Sequence, residues 1–304
     1  MLDNIKIGKQ RIAIIGGDLR QIYLAILLMK QGYPVTVYGN QPSLYQLSKE
    51  DVSYYDANVI LNSSFVTTVK ENDVLILPIP LSKDSEHITM NKMYDPISNS
   101  SLLQNLTHKP YIFAGAIKPS IRTFLQEHEV PFCDFMELEP IAIENAIATA
   151  EGTIVEAISR SNINLNHSNV LVLGYGRCAK ILASKLKGMD AIVTIAARKA
   201  DALAYAKAYG FNAIKLPEKV TDLSHYDYIF NTIPTAIISR ELLQTTKSDV
   251  TIIDIASAPG GVDFAAAKEL GINASLCLAL PGIYAPKASA TILSDAILEL
   301  IITE

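Results

Sequence analysis

Short apolar runs ending in Gly, Asn or Pro alternate with longer segments of helical periodicity along the chain. This pattern predicts repeated βαβ units in doubly wound parallel sheets. Residues 11–15, 35–38, 74–77 and 111–114 read as one set of strands, and residues 170–173, 191–196, 228–231 and 251–255 as a second. Between the sets, residues 137–160 are rich in Ile, Ala and Glu and have no proline after Pro140, which predicts one long joining helix. Asn145, Thr149 and Thr153 recur on it at i, i+4 and i+8, a polar stripe beside Gly152 that faces either an interdomain cleft or solvent. Residues 288–302 form an Ile/Leu-rich helical pattern expected to pack back towards the first domain.

Sliding the chain against itself by 158 positions aligns Gly16 with Gly174, Val35 with Val193 and Val37 with Ile195. Each copy reads strand, glycine turn, helix, strand. The fold class is therefore α/β, with two Rossmann-like doubly wound parallel-sheet domains joined by a long helix. The expected division is residues 1–136, a linker helix at 137–160, a second Rossmann domain at 161–287 and a terminal helix at 288–304.

Composition narrows the function. With 26 Lys and Arg against 31 Asp and Glu, the net charge of −5 offers no general field for nucleic acid or an anionic membrane. The longest uninterrupted apolar stretch, residues 22–29, is far short of the roughly 20 residues that span a bilayer. Cys133, Cys178 and Cys277 are too scattered for a disulfide framework, and no metal-ligand spacing is present. The first residues show no charged segment followed by an apolar one, so a cytoplasmic protein is expected.

Residues 169–180, NVLVLGYGRCAK, place G-x-G-x-x-A between a strand and a helix. In such a fingerprint Gly174 makes the tight turn, Gly176 admits a pyrophosphate and Ala179 lets helix and strand pack closely. Tyr175, Arg177 and Cys178 complete the turn. In the first copy Asp18 replaces Gly176 and Gln21 replaces Ala179, so the side chain of Asp18 is expected to obstruct a dinucleotide there. The strand after the second fingerprint ends Ala197-Arg198-Lys199, with two cations where NAD-binding copies carry an acid, which favours NADP. Asn231, Thr232, Ile233 and Pro234, together with Asp254 and Ala256, occupy the next strand ends and are expected to border the cofactor. Asp254 has the alternative role of a cap.

Six blocks carry a resemblance. They are IIGGDLRQ (14–21), TAEGTI (149–154), VLGYGR (172–177), NTIP (231–234), DIASAPGGVDF (254–264) and LPGIYAPK (280–287). In this order they resemble the family of dipicolinate synthase A subunits. Ala258 and Ala179 depart from the family pattern, which more often has Arg and Gly there, and residues 40–72 look little like it.

The resemblance implies an NADP-dependent oxidoreductase of spore-forming bacteria. It would make dipicolinate, pyridine-2,6-dicarboxylate, from a dihydrodipicolinate-level intermediate in the mother cell, and its partner would be a flavoprotein-like B subunit. A dihydropyridine dicarboxylate needs cations, and Arg20, Arg177 and Lys287 are the candidates. Arg20 is otherwise a solvated helix residue, Arg177 a phosphate ligand, and Lys287 a partner for carbonyls at a helix end. Asp18 is either a proton acceptor or a helix N-cap. Glu151 holds a cation or caps an amide, and Cys178 packs as a small residue. The five histidines lie outside the blocks, and only His87 falls near a strand end. A nucleotide-binding subunit or sensor without chemistry, and a generic two-domain hydroxy- or amino-acid dehydrogenase, are the competing expectations. A homo-oligomer is expected from the sheet edges and the apolar terminal helix.

Overall fold

The computed structural model describes residues 10–45, 47–216 and 220–302. They form two compact units. The first combines the chain up to Glu144 with the segment from Ala285 onward, and the second is Asn145–Tyr284. The first contains β1 (Ile12–Ile15), α1 (Leu19–Lys30), β2 (Val35–Tyr38), α2 (Lys49–Asn58), β3 (Ile60–Leu61), α3 (Phe65–Glu71), β4 (Val74–Ile76), α4 (Asn99–Gln104), β5 (Tyr111–Ala114), α5 (Pro119–Glu127) and β6 (Phe132–Asp134). The helix α6 (Glu139–Arg160) then carries the chain into the second unit.

The second unit contains β7 (Asn169–Leu173), α7 (Arg177–Gly188), β8 (Ile192–Ala197), α8 (Ala200–Ala208), β9 (Asn212–Lys215), β10 (Tyr228–Asn231), α9 (Arg240–Leu243), β11 (Thr251–Asp254), α10 (Phe264–Glu269), β12 (Asn273–Leu276) and α11 (Leu280–Tyr284). The last helix, α12 (Pro286–Ile302), belongs to the first unit.

The sheets have the orders β3-β2-β1-β4-β5-β6 and β12-β11-β10-β7-β8-β9, and all their pairings are parallel. Both follow the doubly wound Rossmann order, in which strand order reverses beside the first strand of the sheet. The 158-residue offset is visible in three dimensions, because adding 158 to the bounds of α1 gives those of α7, and Asp18 and Gly176 are the matching N-caps.

Strand alternation explains the cores. Ile12 and Ile14 face a core shared with α1 and α12, whereas Ala13 and Ile15 face the opposite one. In the second unit Val170 and Val172 face α6, α7 and α8, and Leu171 and Leu173 face the other side. Strands buried on both faces read as continuous apolar runs, and this is the pattern detected in sequence. The strands that the pattern leaves out, β3, β6, β9 and β12, are the four sheet edges. Each pairs on one side only, and sequences such as NAIK and NASL leave half-exposed positions free to be polar.

The polar stripe on α6 is not an ordinary solvated face. Thr149 and Thr153 donate their hydroxyls to the carbonyls of Asn145 and Thr149, and Thr153 is fully buried. Their hydrogen bonds are therefore satisfied within their own helix. The terminal helix begins at Pro286, two residues before the expected start. Its Ala290, Leu293 and Ile297 lie in one buried core with Ile22, Ile26 and Met29 of α1. No helix among the described residues is long and apolar enough to cross a membrane.

Truncating Leu293 tests the docking of α12. Leu293→Ala should cost about 3 kcal/mol, measured by urea denaturation, because it leaves a cavity between packed helices. A loss below about 1 kcal/mol would show that the contact contributes little.

Candidate nucleotide-binding site

In the second unit the chain leaves β7 at Leu173 and turns at Gly174, whose N–H donates to the Ala196 carbonyl at 2.8 Å. Gly174 has φ of +100°, and a Cβ there would collide with the Thr232 hydroxyl. That hydroxyl is held in place by donating to the Leu173 carbonyl at 2.8 Å. Gly176 differs, with φ of −84° and nothing within 4 Å of an added Cβ. The fold itself thus requires glycine at 174 but not at 176, and the open space at 176 is where a fingerprint accepts pyrophosphate. Ala179 is fully buried in the core against β7, as a small residue must be for close packing.

The helix starts around this space lack side-chain caps. Gly176 before α7 and Lys199 before α8 accept no side-chain hydrogen bond, whereas Asp18, Ser48, Ser64, Ser98, Ser239 and Asp263 cap α1, α2, α3, α4, α9 and α10. The first N–H groups of α7, and those of α8 before Ala202, are donors suited to an anion, while the Ala202 N–H already donates to Asp201 Oδ1 at 2.8 Å. Arg177 is the first residue of α7, and Arg198 and Lys199 are exposed immediately before α8. No ion pair to Arg198 or Lys199 is found among the described residues. Ala197 is buried at the end of β8, where its carbonyl accepts from Leu216 N–H at 3.0 Å.

Two neighbouring strand ends shape the far side. Asn231 and Asp254 are register partners on β10 and β11, and both are fully buried. Asn231 bonds both the N–H and the carbonyl of Ile233. Asp254 accepts from Ala256 N–H at 2.9 Å and from Gly261 N–H at 2.6 Å. Both carboxylate oxygens of Asp254 are therefore engaged by backbone. The structure gives this residue a turn-organising role at the strand end where the sequence predicts a border of the cofactor site. Thr232 and Ile233 are half-buried and Pro234 is exposed above Asn231, while Ala256 is buried. Gly261 wedges between the two loops, since a Cβ there would press on Asn231 and on the carbonyls of Ile233 and Thr235.

Cys178, the second residue of α7, is half-buried. Burial pushes its thiol above the ordinary value despite the nearby Arg177 charge and a hydrogen bond with Thr149. It packs rather than serving as a thiolate. Tyr175 lies edge-on to Phe211 with ring centroids 6.4 Å apart, and Lys180 Nζ sits 5.7 Å above the Tyr175 ring. Glu151 holds Lys185 of α7 at 2.8 Å.

The first unit treats its glycine turn differently. Asp18 does not obstruct it, because its carboxylate folds back to cap α1 in a capping box with Gln21. The obstruction comes instead from the loop after β4. The Thr89 carbonyl accepts from Gly17 N–H at 2.9 Å, and Met90 lies against both Gly16 and Gly39. No signal near the fingerprint announces Thr89 and Met90, which reach it through a long loop.

Arg20 is not a solvated helix residue, being 3% exposed. Its guanidinium donates to both Asp18 oxygens, at 2.9 and 2.7 Å, and to the Ile79 carbonyl at 2.5 Å. Asp18 is thus a cap and counter-ion with both oxygens engaged, the N-cap alternative of the sequence reading. Lys287 is exposed in the first turn of α12, with Nζ 5.7 Å from the Tyr23 ring, one helical turn beyond Arg20 on α1. His87 on the loop after β4 carries a carboxylate partner, with Nδ1 2.8 Å from Asp84 Oδ2. Backbone N–H groups of His87 and Glu86 help hold that carboxyl well below its usual range.

Two Rossmann-ordered halves, with an open glycine fingerprint in the second, define a dehydrogenase-like nucleotide-binding fold. Residues 11–136 match the family of N-terminal domains of the dipicolinate synthase A subunit, a span that includes 40–72. The dipicolinate synthase A subunit of Bacillus subtilis is 29% identical over 295 residues, covering 96% of this chain and 95% of that protein. The crystal structure of the dipicolinate synthase A subunit from Bacillus halodurans superposes with a TM-score of 0.82 at 28% identity, covering 99% and 100% of the two chains. The chain is thus similar to these dipicolinate synthase A subunits along nearly its whole length. An L-alanine dehydrogenase structure shares the fold with a TM-score of 0.62 at 14% identity, covering 95% of this chain and 88% of the other.

The two fingerprint glycines should separate in a stability measurement. Gly174→Ala is expected to lower stability by about 1–3 kcal/mol through its positive φ and the Thr232 collision, whereas Gly176→Ala should change it by less than about 0.5 kcal/mol in thermal unfolding. Equal losses would show that 176 is also a structural glycine. For Cys178 the raised pKa means less thiolate than an ordinary cysteine at pH 8, so iodoacetamide should label it more slowly than a free thiol until the pH is raised further. Fast labelling at pH 7 would contradict this.

Proposed function

We propose that the chain is the NADP-binding subunit of an oxidoreductase that forms dipicolinate from a dihydropyridine dicarboxylate. The observation that carries this reading is the unfilled space at Gly176 beside two uncapped helix starts, with Arg198 and Lys199 at the second. These residues fit a nucleotide with phosphates at both places. The N–H groups of α7 would take the pyrophosphate, and Arg198, Lys199 and the N–H groups of α8 the 2′-phosphate. When bound, NADP supplies a hydride acceptor for the oxidation.

The chain's own residues orient and exclude. Asn231 and Asp254 stiffen the loops that border the nucleotide by engaging their backbone groups. Gly261 sets how closely those loops approach. In the first unit Lys287 supplies an exposed cation for a substrate carboxylate, and Arg20, fixed by Asp18 and Ile79, supports the turn beside it. Likeness to a protein that is one of the subunits of its synthase supports a second subunit as partner; the flavoprotein-like character of that subunit and a role in the mother cell of a sporulating bacterium are what the resemblance of the sequence blocks implies.

Titration of the purified chain with NADP and NAD tests the assignment. Arg198→Ala should weaken NADP by about 10- to 100-fold and leave NAD little changed, because it removes one charge-assisted phosphate contact. Gly176→Val should abolish binding of both without unfolding the protein. An unchanged preference for NADP in Arg198→Ala would assign the 2′-phosphate elsewhere. Following NADPH absorbance with a dihydropyridine dicarboxylate, for this chain alone and with its second subunit, separates an enzyme from a sensor. No turnover in either case would favour the sensor.

A further inference from the structure

Arg20 is buried with part of its hydrogen-bonding capacity unused. A guanidinium carries five N–H donors in one rigid plane. In Arg20, Nε and Nη2 direct three of them at the two Asp18 oxygens and the Ile79 carbonyl. Nη1 has no hydrogen-bond partner among the described residues, although the residue is 3% exposed. Buried donors are normally paired. Because Nε and Nη2 are held, the planar group cannot swing Nη1 elsewhere, so its N–H groups are fixed in place for an acceptor from outside the chain.

A second cation lies close by. Lys287 Nζ sits 5.7 Å from the ring of Tyr23, which follows Arg20 by three residues and shares its side of α1. No ion pair to Lys287 is found among the described residues. Both cations stand in the first turn of a helix, where the dipole disfavours them, and neither first turn holds an acid. Asp18 neutralises Arg20 from the cap position, but Ala285, the residue before α12, has no side chain able to do the same. Ser289 N–H closes the first turn on the Ala285 carbonyl at 3.0 Å. The N–H groups of Lys287 and Ala288 therefore stand beside a cation with no side-chain acceptor among the described residues. Positions that break a local rule in this way mark functional sites.

We propose that Arg20 Nη1 and Lys287 Nζ are the two ends of a dicarboxylate clamp held entirely by the first unit. Its ligand is a planar ring with a carboxylate on each side of the ring nitrogen, and that choice of ligand rests on the function proposed above. Arg20 takes one carboxylate through its fixed Nη1 donors, and Lys287 takes the other together with the first N–H groups of α12. Arg20, paired with Asp18, supplies direction more than net charge, and Lys287 supplies the attraction. Asp18 is a positioning residue, since it fixes the plane of Arg20 and leaves the ligand to Nη1. Every group in the clamp belongs to the unit that does not carry the open glycine fingerprint, so it forms without nucleotide.

Calorimetric titration of the nucleotide-free chain with pyridine-2,6-dicarboxylate in metal-free buffer tests the clamp. The wild-type chain should bind this ligand at least about tenfold more tightly than pyridine-2-carboxylate, which fills one end only. Lys287→Gln, at an exposed position, should remove that difference, because it leaves one end for either ligand. Arg20→Lys keeps a cation for Asp18 but takes away the fixed Nη1 donors. It should lower the affinity for both ligands by at least about tenfold, with thermal unfolding recorded to show that the variant is folded. No binding of the dicarboxylate at millimolar concentration, equal affinities for the two ligands in the wild type, or a Lys287→Gln chain that still prefers the dicarboxylate would each overturn the clamp. A folded Arg20→Lys chain with unchanged affinity would do the same. The titration contains no nucleotide, so a negative result leaves the NADP assignment standing, and a chain that takes the dicarboxylate but not NADP fails that assignment alone.

Discussion

Two helix starts without side-chain caps determine how the second unit is built. Most of its counterparts in the chain bring a Ser or Asp to satisfy the first N–H groups, but α7 and α8 begin on Gly176 and Lys199. Leaving those donors free is stabilising only when something else accepts from them. Their position at the ends of β7 and β8, beside the point where the strand order reverses, is the place at which an open parallel sheet meets its ligand. The surrounding features keep that place accessible and rigid. Gly174 removes a collision with Thr232, Gly176 removes a side chain, and buried Asn231 and Asp254 commit their polar atoms to the loops opposite.

The first unit shows what happens to the same scaffold under a different constraint. Its corresponding helix is capped by Asp18, and the carboxylate is also the counter-ion of buried Arg20. Thr89 and Met90 then cover the glycine turn from a loop that follows the fourth strand. Repetition at an offset of 158 residues thus supplies two equivalent frames with different ends. One engages its helix donors with its own Asp18 carboxylate, and the other starts its helix on Gly176 without a side-chain cap.

The interior of this fold was readable from sequence because strands covered on both faces must be apolar throughout. Runs such as Ile12–Ile15 and Thr251–Asp254 announce themselves for that reason. The edge strands did not, because Asn212–Lys215 or Asn273–Leu276 satisfy only one neighbour and can carry exposed polar residues. The fingerprint and the cations after β8 were legible because they depend on adjacent positions in the chain. The fate of Arg20 was not, since the Ile79 carbonyl that accepts from it lies 59 residues away. The covering role of Thr89 and Met90 was hidden for the same reason. The backbone partners of Asp254, Ala256 and Gly261, were hidden in the same way, because the turn that brings Gly261 back to it is not written in the strand pattern.

On the proposed function, one half of the duplicated fold holds the nucleotide and the other half does not. A crystal structure of the chain grown with NADP tests it most directly. Electron density for the pyrophosphate against the α7 N–H groups, with the 2′-phosphate between Arg198 and Lys199, is the predicted result. Density instead at the Gly16 turn, with Thr89 and Met90 displaced, would contradict it.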